Sequence, residues 1–387
     1  MTDTHTLYIH VGMPKTGTSA IQKMLANNRQ KLASLGYTYP GNSNDHWPFV
    51  EGLRVLDGML TNDLVRPILE EIRESDNHAI LSCEGFSDMR SAKMPAHLME
   101  ALRAFGITHR VVVILYVRRQ DDWLDSGYRQ KVKMGLTDTF DEYFNDWRSQ
   151  DFVLVDYLRK AFDWAAFVGE DNIIVRPYRR DAWVERNLFS DVLSSMGLTA
   201  LQRESIDIQL DSANPSLSTD VIAAFVLIGK ILGRTELNSD DPVFLSSFCY
   251  EGSYGDFISP SQRADVLNML AESNEQLAKT YLELDDPKGL FPSLMTNGVW
   301  KPHALDKDDA QRFVDLILTA LPKNSFIYSN RILLRLGLAM RYSSVPFIQS
   351  LAFSAPGKLT FLSKSPKQHL KSVERFLRKL GRLVRRR

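Results

Sequence analysis

The chain has 387 residues, 44% of them hydrophobic, and its Lys+Arg and Asp+Glu counts balance at 47 each. That length and apolar content suffice for a large core, in one elaborated α/β domain or in two domains, and exclude a disordered chain. Zero net charge without an aromatic-basic repeat excludes bulk nucleic-acid affinity, while two cysteines, Cys83 and Cys249, make no disulfide framework and point to a reducing cytoplasm.

The opening residues MTDTHT carry neither a basic nor an apolar leader, so no secretory signal is expected, and no apolar run reaches the length of a membrane span. Tyr8 to Val11 is short and β-prone. Behind it, Ile21, Met24, Leu25 and Leu32 recur at helical spacing, so GMPKTGTS, Gly12 to Ser19, is a turn between a strand and a helix. Gly12 and Gly17 let backbone approach a ligand closely, the first helix amides point at an anion, and Lys15 adds a full positive charge. A Walker A loop has its lysine after the second glycine, whereas here Lys15 precedes Gly17.

Downstream, SNDHWPF places His46 in a polar loop flanked by aromatics, where it is a candidate acceptor contact or proton acceptor. The other histidines show no partner pattern; His10 reads as a core residue within the first strand. Ala79 to Cys83 reads as a buried strand ending at Glu84. Val111 to Val117 is an unbroken apolar run, the mark of a parallel strand covered on both faces, and it ends at Arg118 and Arg119. Asp121 and Asp122 suit the first turn of the helix that follows, and Ser126 lies eight residues after Arg118. A guanidinium fork and a helix hydroxyl together make a phosphate site, and open α/β sheets place ligands at the carboxyl ends of their strands.

Lys15, Thr16, Gly17, Thr18 and Ser19 in PKTGTS, joined by Arg118 and Ser126 at their spacing, resemble the sulfotransferases that use 3′-phosphoadenosine 5′-phosphosulfate (PAPS). In that family a P-K-[ST]-G-[ST]-[ST] loop grips the 5′ end of the donor, and an arginine with a serine eight residues later holds the 3′-phosphate. The likeness covers about residues 7 to 200. It implies a P-loop NTPase-like α/β fold with a central parallel sheet flanked by helices, and PAPS as donor with 3′,5′-ADP as product. It implies Lys15 as the group stabilising the leaving phosphate, and no metal; no His/Cys/Asp set at ligand spacing appears in the sequence. Glu84 then corresponds to the glutamate base of the carbohydrate-modifying branch, with His46 as the alternative, although Gly85 and Phe86 depart from the lysine and small residue common after that glutamate in glycosaminoglycan enzymes. The acceptor on this analogy is a carbohydrate or glycolipid hydroxyl, with an amine as a variant. Two alternatives remain beside it, a P-loop nucleotide or metabolite kinase and a non-catalytic nucleotide-binding scaffold.

Ile173 to Val175 reads as a further strand after a helix and a turn at Gly169 to Asn172. No late cofactor-binding loop of the cytosolic sulfotransferase type is found; DSANPSLST, with Asn214 and Ser216, is the nearest substitute. From Thr219 on the pattern is helical, with stripes at Ile222, Phe225 and Val226, at Val266, Leu267 and Leu270, and at Phe313, Val314, Ile317 and Leu321. The expected organisation is a sulfotransferase α/β domain over 1–300, its part from 200 to 300 a helical cover, followed by a helical region over 301–387 with a boundary near Ser293 to Pro302. Between Lys364 and Arg387 the only acid is Glu374, and Leu370, Val373, Leu377, Leu380 and Val384 form an apolar stripe. Such a basic amphipathic tail reads equally as a membrane-peripheral helix or as a helix packed on its own domain.

Overall fold

In the computed structural model of the chain, the described residues are 5–54, 63–87, 93–208, 217–233, 255–282, 290–291, 300, 304–320, 327 and 330–342. They fall into two compact bodies, one within Met1–Gly127, Asp146–Ala213 and Pro260–Val299, the other within Tyr128–Asn145, Asn214–Ser259 and Trp300–Arg387. The division differs from the expected break at residue 300. The described residues 128–145, 217–233 and 255–259, assigned on local pattern to the α/β domain, fall in the second body with the later helices, because helical stripes do not announce which neighbour they will cover. The tail from 364 on, the boundary near 293–302, and Asn214 with Ser216 lie outside the described residues.

The first body is built on five parallel strands, β1 (Thr6–Val11), β2 (Tyr37–Thr38), β3 (His78–Cys83), β4 (Arg110–Val117) and β5 (Ile173–Pro177), in the order β2-β3-β1-β4-β5. The protein is thus α/β with a central parallel sheet flanked by helices. Beyond Arg110, every residue of β4 is buried, which follows from its unbroken run of β-branched and aromatic side chains lying between two helical layers. Val11 pairs with Cys83 on one side and with Leu115 on the other, and Val117 pairs with Pro177. The residues following β1, β3, β4 and β5 therefore leave the sheet along one edge. The order in which strands are added reverses between β1 and β4: the connection after β1 runs toward β2 and β3, and the one after β4 runs toward β5. A crevice at such a reversal is where open α/β sheets receive ligands.

Helices α1 (Thr18–Asn27) and α2 (Arg29–Ser34) follow β1. The Asn28 amide between them donates to Met24 and Asp207 carbonyls at 2.9 and 2.8 Å, which ends the first helix and fixes the turn. Next come α3 (Trp47–Arg54) and α4 (Arg66–Glu74) before β3, α5 (Met94–Ala104) before β4, and α6 (Gln120–Lys133) and α7 (Phe140–Ser149) after it. Then α8 (Tyr157–Val168), capped by the Asp156 carboxylate on the Arg159 amide at 3.2 Å, leads into β5. After β5 stand α9 (Leu188–Ser195), capped by Asn187, and α10 (Ala200–Glu204), which opens with a Thr199/Gln202 capping box. One face of the sheet is sealed by Ile21, Leu25 and Leu32 with Val192, Leu193 and Met196 against Ile80, Ile114 and Tyr116. Helices Pro260–Met269 and Ala271–Tyr281 complete the described part of this body.

The second body is helical in its described residues. Its centre is α11 (Thr219–Leu232), nearly all buried, with Pro-free helices Lys307–Ala320 and Arg331–Arg341 beside it. Gly229 lies so close to Thr137 that a Cβ would come within 2.2 Å of its methyl, and Gly337 does the same against Ile231 at 2.3 Å. The expected stripes at Ile222 and Phe225 and at Phe313, Val314 and Ile317 are the buried faces of these helices. Among the described residues, no helix is long and apolar enough to cross a membrane.

Candidate functional site

Met13 to Gly17 turns sharply out of β1, and the turn is held from within. Thr16 is fully buried and its hydroxyl donates to the Met13 carbonyl at 2.6 Å; the Thr18 hydroxyl donates to the same oxygen at 3.1 Å. Closing the loop this tightly forces Lys15 into the left-handed region at φ 68° and Gly17 at φ 75°. Gly17 tolerates this without a Cβ, and a Cβ there would come within 2.5 Å of Leu188. Lys15 holds a conformation that few non-glycine residues adopt, a local cost of about 1–3 kcal/mol that surrounding contacts must offset. Those contacts come from β4 and α6: Arg118 donates through Nη1 to the Lys15 carbonyl at 2.9 Å, and the Trp123 indole donates to the Pro14 carbonyl at 2.7 Å. The α1 amides that follow Gly17 open a helix with no side-chain cap, leaving its amino-terminal end directed to the loop.

Of the residues singled out from sequence, Lys15, Thr18, Glu84 and Arg118 come together at this edge of the sheet. Lys15 and Arg118, 103 residues apart, touch through the lysine's backbone. Arg118 is fixed on two further sides: its carbonyl accepts from the Tyr157 hydroxyl at 2.7 Å, and its guanidinium lies 5.8 Å from the centre of the Tyr178 ring. Arg119 turns the other way, into a fork on Asp121 at 2.8 and 3.0 Å, and Arg263 pairs with that same fully buried carboxylate. The two arginines that close β4 thus have different partners, the loop for Arg118 and a buried acid for Arg119. Ser126 is half-buried on α6, one turn beyond the Trp123 tether, and Ser19 is exposed at the start of α1.

Glu84 begins a short 3-10 turn (Glu84–Ser87) directly after β3. Gly12 is the reason it comes close to the loop: a Cβ on Gly12 would stand 3.4 Å from the Glu84 Cγ and 2.2 Å from the Thr18 methyl. Burial pushes the Glu84 carboxyl above the usual carboxylate range, opposed by its hydrogen bond with Thr18 and by the Lys15 charge. Burial likewise pushes the Lys15 ammonium below its ordinary range, with the Arg118 charge adding to the shift and Glu84 opposing it. A carboxyl drawn toward neutrality and an ammonium drawn the same way, side by side at a sheet's ligand edge, are suited to proton transfer and to stabilising new negative charge.

His46 does not belong to this set, and its assignment as proton acceptor or acceptor contact is corrected here. It is 2% exposed, its Nδ1 accepts from the Ser82 amide at 3.1 Å, and its Nε2 donates to the Pro40 carbonyl at 3.0 Å. Burial pushes its pKa down to about 4, leaving a neutral ring with both nitrogens engaged that ties the loop before α3 to β3.

Tyr178, Trp123 and Thr18 belong to the site's frame and were not singled out for these roles from sequence. Tyr178 follows β5 as Arg118 follows β4, so the rule of the carboxyl edge would have found it. Trp123 carried no signal, because its partner is a carbonyl 109 positions away.

No family model matches the chain. An uncharacterized protein of Archaeoglobus fulgidus is similar to it, 30% identical over 175 residues, which is 44% of this chain and 45% of that protein. The matched stretch thus spans less than half the length of this relative.

Proposed function

We propose that the protein is a sulfotransferase that moves a sulfonate group from PAPS to an acceptor hydroxyl, with the sheet as a P-loop NTPase-like sulfotransferase fold. One observation supports this reading above the others: the guanidinium at the end of β4 bonds the backbone carbonyl of the loop lysine after β1, at the edge of the sheet where the order of strands reverses. A donor carrying phosphates at both the 3′ and 5′ positions has need of two such positive ends. In this reading Lys15, Thr16, Gly17, Thr18 and Ser19 receive the 5′-phosphosulfate, and Arg118 with Ser126 receives the 3′-phosphate.

The chemistry divides among groups that gather at this edge of the sheet. The acceptor oxygen attacks sulfur in line while the bond from sulfur to the bridging phosphate oxygen breaks; the negative charge gathering on that oxygen is met by the Lys15 ammonium and the first α1 amides. Glu84 takes the acceptor's proton, and its raised basicity favours that transfer near neutral pH. The product nucleotide is 3′,5′-ADP. A glutamate in this role, as in the carbohydrate-modifying branch, favours a carbohydrate or glycolipid acceptor.

A nucleotide kinase would use the hydroxyl after its loop lysine to hold magnesium. Here that residue is Thr16, fully buried with its hydroxyl donating to the Met13 carbonyl. Calorimetric titration separates the readings. The expected result is at least tenfold tighter binding of 3′,5′-ADP than of 5′-ADP, a preference that Arg118→Ala abolishes. Equal affinity for the two nucleotides overturns the assignment, and tight 3′,5′-ADP binding without transfer to any hydroxyl class marks a scaffold.

A further inference from the structure

We propose that Trp47 is the platform on which a pyranose ring of the acceptor stacks, with Asp45 and Glu84 receiving its hydroxyls; the proposal rests on the sulfotransferase reading and names its acceptor class. Trp47 opens α3 and is 44% exposed, a large exposed hydrophobic residue beside the turn of Glu84. That ring is not a loose surface aromatic. A Cβ on Gly85, the residue after Glu84, would lie 3.4 Å from Trp47 Cζ3 and 2.6 Å from a Val50 methyl, so α3 is seated directly on the backbone of the turn that carries Glu84. Only a glycine permits that approach.

The ring is also fixed in direction. The Arg54 guanidinium, two turns along α3, stands 5.3 Å from the ring centre and is itself paired with Glu51. The Trp47 amide donates to the Asp45 carboxylate at 2.9 Å, which brings that half-buried acid to the base of the ring, near enough for its charge to act on Glu84. An aromatic ring faced by one arginine, with a carboxylate on its own backbone amide and the turn of a candidate base beneath it, matches the two sides of a sugar. The axial C–H groups of a pyranose are weakly positive and apolar and fit the negative face of an indole, while its equatorial hydroxyls remain in the ring plane to reach carboxylates. A flat phenol or a steroid gains from the stacking but has no array of hydroxyls for Asp45 and Glu84. Pre-orientation of the ring by Arg54 and Gly85 removes the entropy of ordering a free tryptophan on binding.

Saturation-transfer NMR on the full chain with 3′,5′-ADP present tests this, using cellotetraose, maltotetraose and chitotetraose as probes and p-nitrophenol as the competing class. The expected result is transfer to ring C–H protons of at least one tetrasaccharide, weakened about tenfold or more in Trp47→Ala, largely kept in Trp47→Phe, and unchanged in the control Phe167→Ala. Calorimetry with 3′,5′-ADP runs on every variant, so that a misfolded Trp47→Ala is recognised, and Trp47→Phe then carries the comparison with Trp47→Lys. Normal 3′,5′-ADP binding with no saccharide signal, with a signal indifferent to Trp47, or with p-nitrophenol alone bound at Trp47 overturns the platform and leaves the donor site standing. Failure to bind 3′,5′-ADP removes the underlying reading and the platform with it.

Discussion

Two acids of the first body, Asp191 on α9 and Glu84 after β3, sit in low-dielectric surroundings and are treated in opposite ways. Asp191 is fully buried and saturated: it accepts from the Tyr116 hydroxyl at 2.6 Å, from Arg176 Nε at 3.0 Å and again from Arg176 Nη2, and from the Val184 amide at 2.9 Å. This network ties β4, β5 and the chain leading into α9 together, and so holds Tyr178 and Leu188 against the loop at Gly17. Burial raises the proton affinity of Glu84, and its bond with Thr18 and the charge of Lys15 offset only part of that rise. A carboxylate whose lone pairs are all met is structural; one left short of partners at a ligand edge is held ready for chemistry.

The widest separation between these two regions comes from Lys15→Ala. It lowers single-turnover transfer about a thousandfold, while 3′,5′-ADP affinity falls far less, since that product lacks the sulfonate. Wild-type turnover in this variant ends the role given to Lys15. Asp191→Ala comes next and acts on stability: it strands Arg176 and the Tyr116 hydroxyl, and urea unfolding loses about 3 kcal/mol. A loss under about 1 kcal/mol shows the network to be incidental.

Glu84→Gln inverts the Asp191 result. Transfer falls about a hundredfold with 3′,5′-ADP binding intact, and the fold gains. The sign follows from linkage: a carboxyl whose folded pKa is raised binds more protons folded than unfolded, so its contribution to stability is present below the unfolded value and is lost as pH rises through the folded one. Thermal melts of Glu84→Gln should therefore match wild type in acid and exceed it slightly near neutrality. A large drop in melting temperature instead makes Glu84 a structural acid like Asp191. The mildest effect is on the pH profile of transfer. Activity is lost on the acid side as Glu84 takes up its proton above the ordinary carboxylate range, and on the alkaline side as Lys15 gives up its own below the ordinary lysine range. The bell is narrower than free side chains would give, and Glu84→Gln removes its acid limb.

What was legible along the chain is what local spacing encodes. Ala79 to Cys83 and Val111 to Val117 are strands whose apolar runs follow from burial on both faces, Tyr8 to Val11 is the β-prone end of β1, and the candidates Lys15, Glu84 and Arg118 follow these strands at one edge of the sheet. His46 was misread because a polar loop with aromatic neighbours looks the same whether the imidazole faces solvent or is locked by Ser82, 36 residues on, and by Pro40. The second body escaped notice because its three segments are separated in sequence by stretches of the first.

Order of residues along one strand, turn and helix is short-range information, and it specified the strands of the sheet, the tight turn from β1 into α1 and the lysine within it, since pleat, helix pitch and glycine freedom act within a few positions. Folding alone decided which side chains share a space: that Arg118 bonds the backbone of Lys15, that Trp123 anchors Pro14, that Asp191 is saturated and Glu84 is not, and that Trp47 lies open beside Gly85. Those outcomes depend on strand order and on packing between elements up to a hundred residues apart, and both are set by the burial of the whole core.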